Sequence, residues 1–219
     1  MKKILLFASI AVLLASCSSK PQPKFELEVN IHDNSSLISK KFIVTQRIDG
    51  SVVYSDTIKI KKDQFLLKIP YKGPALLNIS IPLSDVKDIM MAAEEGKIQL
   101  NIEGVNPFFS GTPLNDRLQD FYQGNDSISL LFKQLEDEYK SRPNPDSFTP
   151  AMRDEFRQRR DQLLSENTNR IVAFIKENVD NPIGEYYFMT HYITFSLERK
   201  KELMSFATDK LKREFGVLR

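Results

Sequence analysis

Cysteine, histidine, tryptophan and net charge are all scarce in this 219-residue chain, and each shortage removes a class of chemistry. A single cysteine, Cys17, excludes a CxxC redox centre, an internal disulfide and a cysteine-ligated zinc site. The two histidines, His32 and His191, lie in different halves of the chain and have no partner at metal-ligand spacing. Each is therefore expected to be solvated or hydrogen-bonded rather than metal-bound or catalytic. No Ser/His/Asp arrangement is identifiable, and Gly111-Thr112-Pro113 lacks the lysine and the helix signature of a phosphate loop. The formal charge of +2 comes from Lys2 and Lys3; without them the basic residues equal the 29 acidic ones. So even a balance argues against a basic nucleic-acid-binding surface, and no nucleic acid partner, metal or cofactor is expected. The chain also lacks internal repeats and low-complexity tracts.

The N-terminus is the most informative stretch that is present. Lys2 and Lys3 precede an apolar run from Ile4 to Leu14, broken only by Ser9, and the small pair Ala15-Ser16 follows. That is the layout of a secretory signal, and the run is too short to span a bilayer comfortably. Leu14-Ala15-Ser16-Cys17 resembles the lipobox of bacterial lipoproteins. The resemblance implies that residues 1–16 are removed and that Cys17 becomes the lipidated first residue, the protein's link to the membrane. Several acyl chains on one residue anchor a protein stably, where a single chain holds it only marginally. The plain alternative is an ordinary secreted protein whose cysteine falls there by chance. Residues 17–24, with two prolines and no apolar period, form a tether. Ser18-Ser19-Lys20 carries no acidic run, so a periplasm-facing position in the cell envelope is expected.

From Phe25 onward the apolar period is two. Phe25, Leu27, Val29 and Ile31 alternate with polar residues, and further runs lie at Lys41–Ile48, Ser51–Ile60, Phe65–Ile69, Ala75–Ile81, Ile89–Ala93 and Lys97–Ile102. Asp49-Gly50 between two of them is a hairpin signal. After Ser110 the period becomes helical. A short helix is expected to follow Pro113 and to be broken at Gly124-Asn125. Ile128, Leu131, Phe132, Leu135 and Tyr139 form the stripe of a second, and Arg142–Pro145 a loop. Thr149-Pro150 opens a long helix to about Asn178; others are expected at Ile183–Tyr192 and, capped by Ser196, Leu197–Ala207, with a frayed end at Lys210–Arg219. The fold class is α+β: an antiparallel β-sandwich or open barrel over residues 25–110, then an all-helical segment over residues 111–219.

Three constellations invite a functional reading. Glu94-Glu95 could form a carboxylate pair, but adjacent residues in a turn point apart and are expected to face water. Arg153, Arg157, Arg159 and Arg160 could make an anionic patch, but interleaved Asp154, Glu155 and Asp161 favour a solvated, self-paired face. On the helix from Ile183, Phe188, Tyr192 and Phe195 share one face and read as core, while Tyr187 and His191 occupy a neighbouring one that could serve as a ligand platform. No catalytic residue is assigned, and Cys17, for lipid attachment, is the only site residue.

The order of parts carries a second resemblance. After the lipobox comes a β domain with a Glu95-Gly96-Lys97-Ile98-Gln99-Leu100 hairpin. Ser110-Gly111-Thr112-Pro113-Leu114-Asn115 then opens a helical segment that includes Phe174-Ile175-Lys176-Glu177-Asn178 and Phe195-Ser196-Leu197-Glu198. This resembles the module of unknown function that precedes the thioredoxin-like domain in membrane-anchored TlpA/ResA-type thiol:disulfide oxidoreductases. In that family a WCxxC domain follows and carries the chemistry, whereas this sequence ends at Arg219 with no tryptophan and no second cysteine. The resemblance implies a non-enzymatic interaction or substrate-positioning lipoprotein beside a thioredoxin-like protein or another envelope protein. A truncated or split oxidoreductase and a ligand-binding lipoprotein with a cleft between its two halves are the alternatives.

Overall fold

A computed structural model describes residues 24–141 and 148–216. The signal, Cys17, most of the tether, the Arg142–Pro145 loop and the last residues of the expected C-terminal fray lie outside the described residues. Eight strands form two four-stranded sheets. Strands β1 (Lys24–His32), β4 (Gln64–Pro70), β7 (Gly96–Glu103) and β8 (Asn106–Ser110) make one, in the order β4-β1-β7-β8. Strands β2 (Lys41–Ile48), β3 (Ser51–Lys59), β5 (Ala75–Ser80) and β6 (Ile89–Ala93) make the other, in the order β3-β2-β5-β6. The period-2 residues are the core: Phe25, Leu27 and Val29 of β1 and Ile98, Leu100 and Ile102 of β7 are wholly buried. The Asp49-Gly50 turn joins β2 to β3 with both residues at positive φ, the geometry that lets a two-residue turn match strand twist.

Every pair is antiparallel except β1 with β7, which run parallel from Phe25 beside Gly96 to His32 beside Glu103. Direction in a hairpin is set by its short turn. Here the whole second sheet separates the partners in sequence, so no local signal encodes it.

The second half is helical: α1 (Pro113–Lys140), α2 (Pro150–Asn178), α3 (Pro182–Thr194), α4 (Leu197–Phe206) and α5 (Asp209–Glu214). Side-chain caps start four of them, with Thr149, Asn181, Ser196 and Thr208 each accepting from a first-turn N–H. The break expected at Gly124 is absent, and α1 runs unbroken for 28 residues. Gly124 is instead a place of close approach. A Cβ there would lie 2.1 Å from the Arg170 guanidinium of α2, which donates to the Phe121 carbonyl at 3.1 Å. Helix α1 is clamped to α2 where a break was expected.

Buried side chains run without interruption from the sheets into the helices. One cluster joins Phe109 and Met91 to Leu118 and Phe121 of α1, Phe174 and Ile175 of α2, Phe188 of α3, Leu203 of α4 and Leu211 of α5. Beyond it, the C-terminal half of α1 and the N-terminal half of α2 make a smaller cluster of Leu135, Phe148 and Phe156. These ends form a helical hairpin projecting from the main core.

Candidate binding cleft

Strands β6 and β8 are each the last of their sheet, so each leaves one edge of backbone groups without a strand partner. Helix α1 lies against both and supplies the missing partners from one face, with Asn115, Gln119 and Tyr122 at positions i, i+4 and i+7. The Asn115 amide accepts from the Ala92 N–H at 2.9 Å and donates to the Ala92 carbonyl at 3.0 Å, as a paired strand would. Gln119 accepts from the Phe109 N–H of β8 at 3.0 Å, and Tyr122 donates to the Met90 carbonyl of β6 at 3.4 Å. Glu94 joins this clasp. Its carboxylate accepts from the backbone N–H groups of Leu114 and Asn115 at 3.0 and 3.2 Å, meeting the positive end of α1. Gly111 makes the joint possible, because a Cβ there would sit 2.5 Å from the Lys97 carbonyl.

Helices α1 and α3 both pack against β6. Between them lies a cleft of about 940 Å³. Its walls carry five rings: Phe108 and Phe109 of β8, Tyr122 of α1, and Tyr186 and Tyr187 of α3. Tyr187 is held rigidly, edge-on to Phe121 at 5.1 Å and to Phe174 at 5.3 Å. Burial, and then the neighbouring Tyr122, pushes its hydroxyl far above the ordinary tyrosine range; burial does the same to Tyr122. Both are neutral phenols at any physiological pH. Asn125, the next polar residue on this side of α1, lines the cleft with a buried Oδ1 that has no hydrogen-bond partner among the described residues. The charged lining comes from three places in the chain: Lys87 and Asp88 ahead of β6, Glu103 at the end of β7 and Asp126 of α1. Three carboxylates thus meet one ammonium.

The residues singled out from sequence are placed as follows. Cys17 lies outside the described residues. His32 is exposed at the end of β1; His191 is half-buried on α3, stacked on Tyr187 at 5.9 Å, and burial lowers its pKa. Among the described residues no group of three or more His, Cys, Asp or Glu is placed to hold a metal. Glu95 faces water as expected, but Glu94 does not: it is spent on the α1 terminus. Of the arginines, Arg159 bridges to Glu138 of α1 at 2.8 Å, while Arg157 and Arg160 pair with Asp154 and Asp161 of their own helix. Phe188 and Tyr192 stack at 5.7 Å as core. Phe195 leaves their face, because α3 ends at Thr194, and packs on His191 at 5.3 Å instead. The sequence points to Tyr187 but not to Tyr122, Asn125, Asp88, Glu103 or Asp126, which only the fold brings together.

Comparison with known families divides the chain. Residues 1–18 match the prokaryotic membrane lipoprotein lipid attachment site, which supports membrane anchoring through a lipidated cysteine. Residues 25–118, less than half of the chain, match a domain of unknown function (DUF4369). That match takes in both sheets and the Glu94 and Asn115 part of the clasp and stops in the first turns of α1, so Gln119, Tyr122 and the cleft's α3 wall lie beyond it. No curated protein matches the chain. Among the described residues no helix is long and apolar enough to cross a membrane.

Proposed function

We propose that this protein is a non-catalytic, periplasm-facing lipoprotein that captures a ligand in the cleft between its sheets and helices α1 and α3. The observation that carries this reading is the cleft itself: rigid aromatic walls, neutral phenols and a buried acceptor without a partner, which are features of a binding site. The nearest titratable groups point the same way. The hydroxyls of Tyr122 and Tyr187 are held protonated and His191 is stacked on a ring, so none of these three is poised as a general base.

The mature protein in nanodiscs, screened against a library of polar small molecules by hydrogen exchange, tests this. A bound compound is expected to protect residues 87–90, 106–109 and 186–190. Chemical turnover of any compound, or failure of the whole library to protect these segments, would overturn the proposal.

A finer version makes the protein accessory to a thioredoxin-like partner. Its support is the resemblance of the Gly111-Thr112-Pro113-Leu114-Asn115 junction to the module that precedes such domains. That junction is a structural clasp, so it supports kinship of architecture more than a shared partner. Co-purification of a WCxxC protein with the anchored chain is the measurement that decides it.

A further inference from the structure

We infer that the ligand of this cleft is an organic cation bearing N–H donors, a protonated amine or a guanidinium. The inference rests on the cleft reading above and adds its chemical class. Three features of the lining point the same way.

The first is the sign of the charge. Asp88, Glu103 and Asp126 come from separate elements to the lining of one cleft, and their carboxylates make no ion pair or hydrogen bond with another described residue. Only Lys87 offsets them. An excess of negative charge at the mouth of a low-dielectric cleft concentrates cations and repels anions.

The second is the walls. The faces of aromatic rings carry negative potential and attract ammonium and guanidinium groups. Tyr122, Tyr186 and Tyr187 line the cleft from two helices, and Tyr187 is locked edge-on to Phe121 and Phe174 with His191 stacked on one face before any ligand arrives. A preformed cage loses little freedom when it is filled.

The third is the unmet acceptor. The buried Oδ1 of Asn125 lacks a donor, and an N–H from the ligand supplies one. A neutral sugar could also donate here, but it would gain nothing from the carboxylates; a dicarboxylate would be repelled by them. A cation with N–H groups satisfies all three features at once.

The same chemistry occurs in a free polyamine and in the side chain of a basic peptide. Spermidine and N-acetyl-argininamide are therefore the two cationic probes, with maltose and succinate as neutral and anionic controls. Each is titrated into the nanodisc-held protein by calorimetry at low and high salt, with hydrogen exchange locating the site. At least one cation is expected to bind, to protect residues 87–90 and 186–190, and to weaken as salt rises. Spermidine alone would identify polyamine-type ligands, and N-acetyl-argininamide alone peptide side chains. The Asp88→Asn, Asp126→Asn double variant changes only solvent-facing groups and should bind about tenfold more weakly or worse. Tyr186→Leu should weaken binding too, without changing its salt dependence. Binding of maltose or succinate in the cleft while both cations fail would overturn the inference and leave the cleft reading standing. Cation binding that the double variant leaves unchanged would overturn it as well. If the cations fail and the library also leaves these segments unprotected, the cleft reading falls with it.

Discussion

Asn115 meets Ala92 as one strand meets another, exchanging two hydrogen bonds with its backbone through a side chain mounted on a helix. Both groups are buried, and removing the amide strands the Ala92 N–H and carbonyl together. Asn115→Ala should therefore cost about 3 kcal/mol, more than a single exposed hydrogen bond, as each unsatisfied buried group carries its own desolvation penalty. Urea unfolding followed by far-ultraviolet circular dichroism measures it. A loss under about 1 kcal/mol would mean that water replaces the clasp.

Two helical glycines should respond differently to alanine. At Gly184 the new Cβ would fall 1.8 Å from the Asn178 carbonyl, which is backbone and cannot move aside, so Gly184→Ala should destabilise by about 3 kcal/mol. At Gly124 the obstacle is the mobile end of Arg170. Here the helix gains about 1 kcal/mol from alanine and loses about as much from the displaced Arg170 bond, leaving stability nearly unchanged. In an Arg170→Ala background the same change should stabilise by the full helix-propensity gain, and thermal melts of the four proteins complete the cycle.

His191 should make stability sensitive to mild acid. Burial lowers its pKa below the ordinary value of 6.5, so the unfolded chain binds a proton more readily than the folded one. The contribution is whole above that ordinary value and is lost as pH falls below it toward the folded pKa. His191→Phe keeps the stack on Tyr187 and removes the titration. Melting temperatures of the two proteins between pH 7.5 and 5 should diverge on the acid side, with the natural protein falling faster.

Cys17→Ser should move the protein out of the membrane fraction, because the lipid attachment site is the anchor and none of the described helices is a membrane span. Cell fractionation with an antibody reads this directly. A serine variant still sedimenting with membranes would point to a second attachment.

Much of this could be read from the sequence because the signals were local. The alternation from Phe25 to Ile31 lies within one strand, and Thr149, Asn181 and Ser196 cap their helices through contacts within three residues. Gly124 was misjudged because its reason, Arg170, lies 46 residues away in the sequence. Glu94 reads as a solvated turn residue for the same cause: the helix end it neutralises begins twenty residues later. The parallel pairing of β1 with β7 and the convergence of Asp88, Glu103 and Asp126 depend on topology alone. Tyr187 is legible because it lies in an aromatic cluster along the chain, and the cleft it lines is not, because its other walls come from distant segments.

The tether leads into β1 at the end where Phe25 lies beside Gly96, and Gly96 in turn lies against Thr112, the cap of α1. From that corner α1 runs its full 28 residues, about 42 Å at 1.5 Å per residue. A membrane anchor ahead of β1 would therefore act near one end of a stiff rod. Fixing that corner restricts where the molecule can drift but leaves it free to pivot. Small tilts at the bilayer become sweeps of many ångströms at the far end, where Tyr139 of α1 and Phe156 of α2 meet.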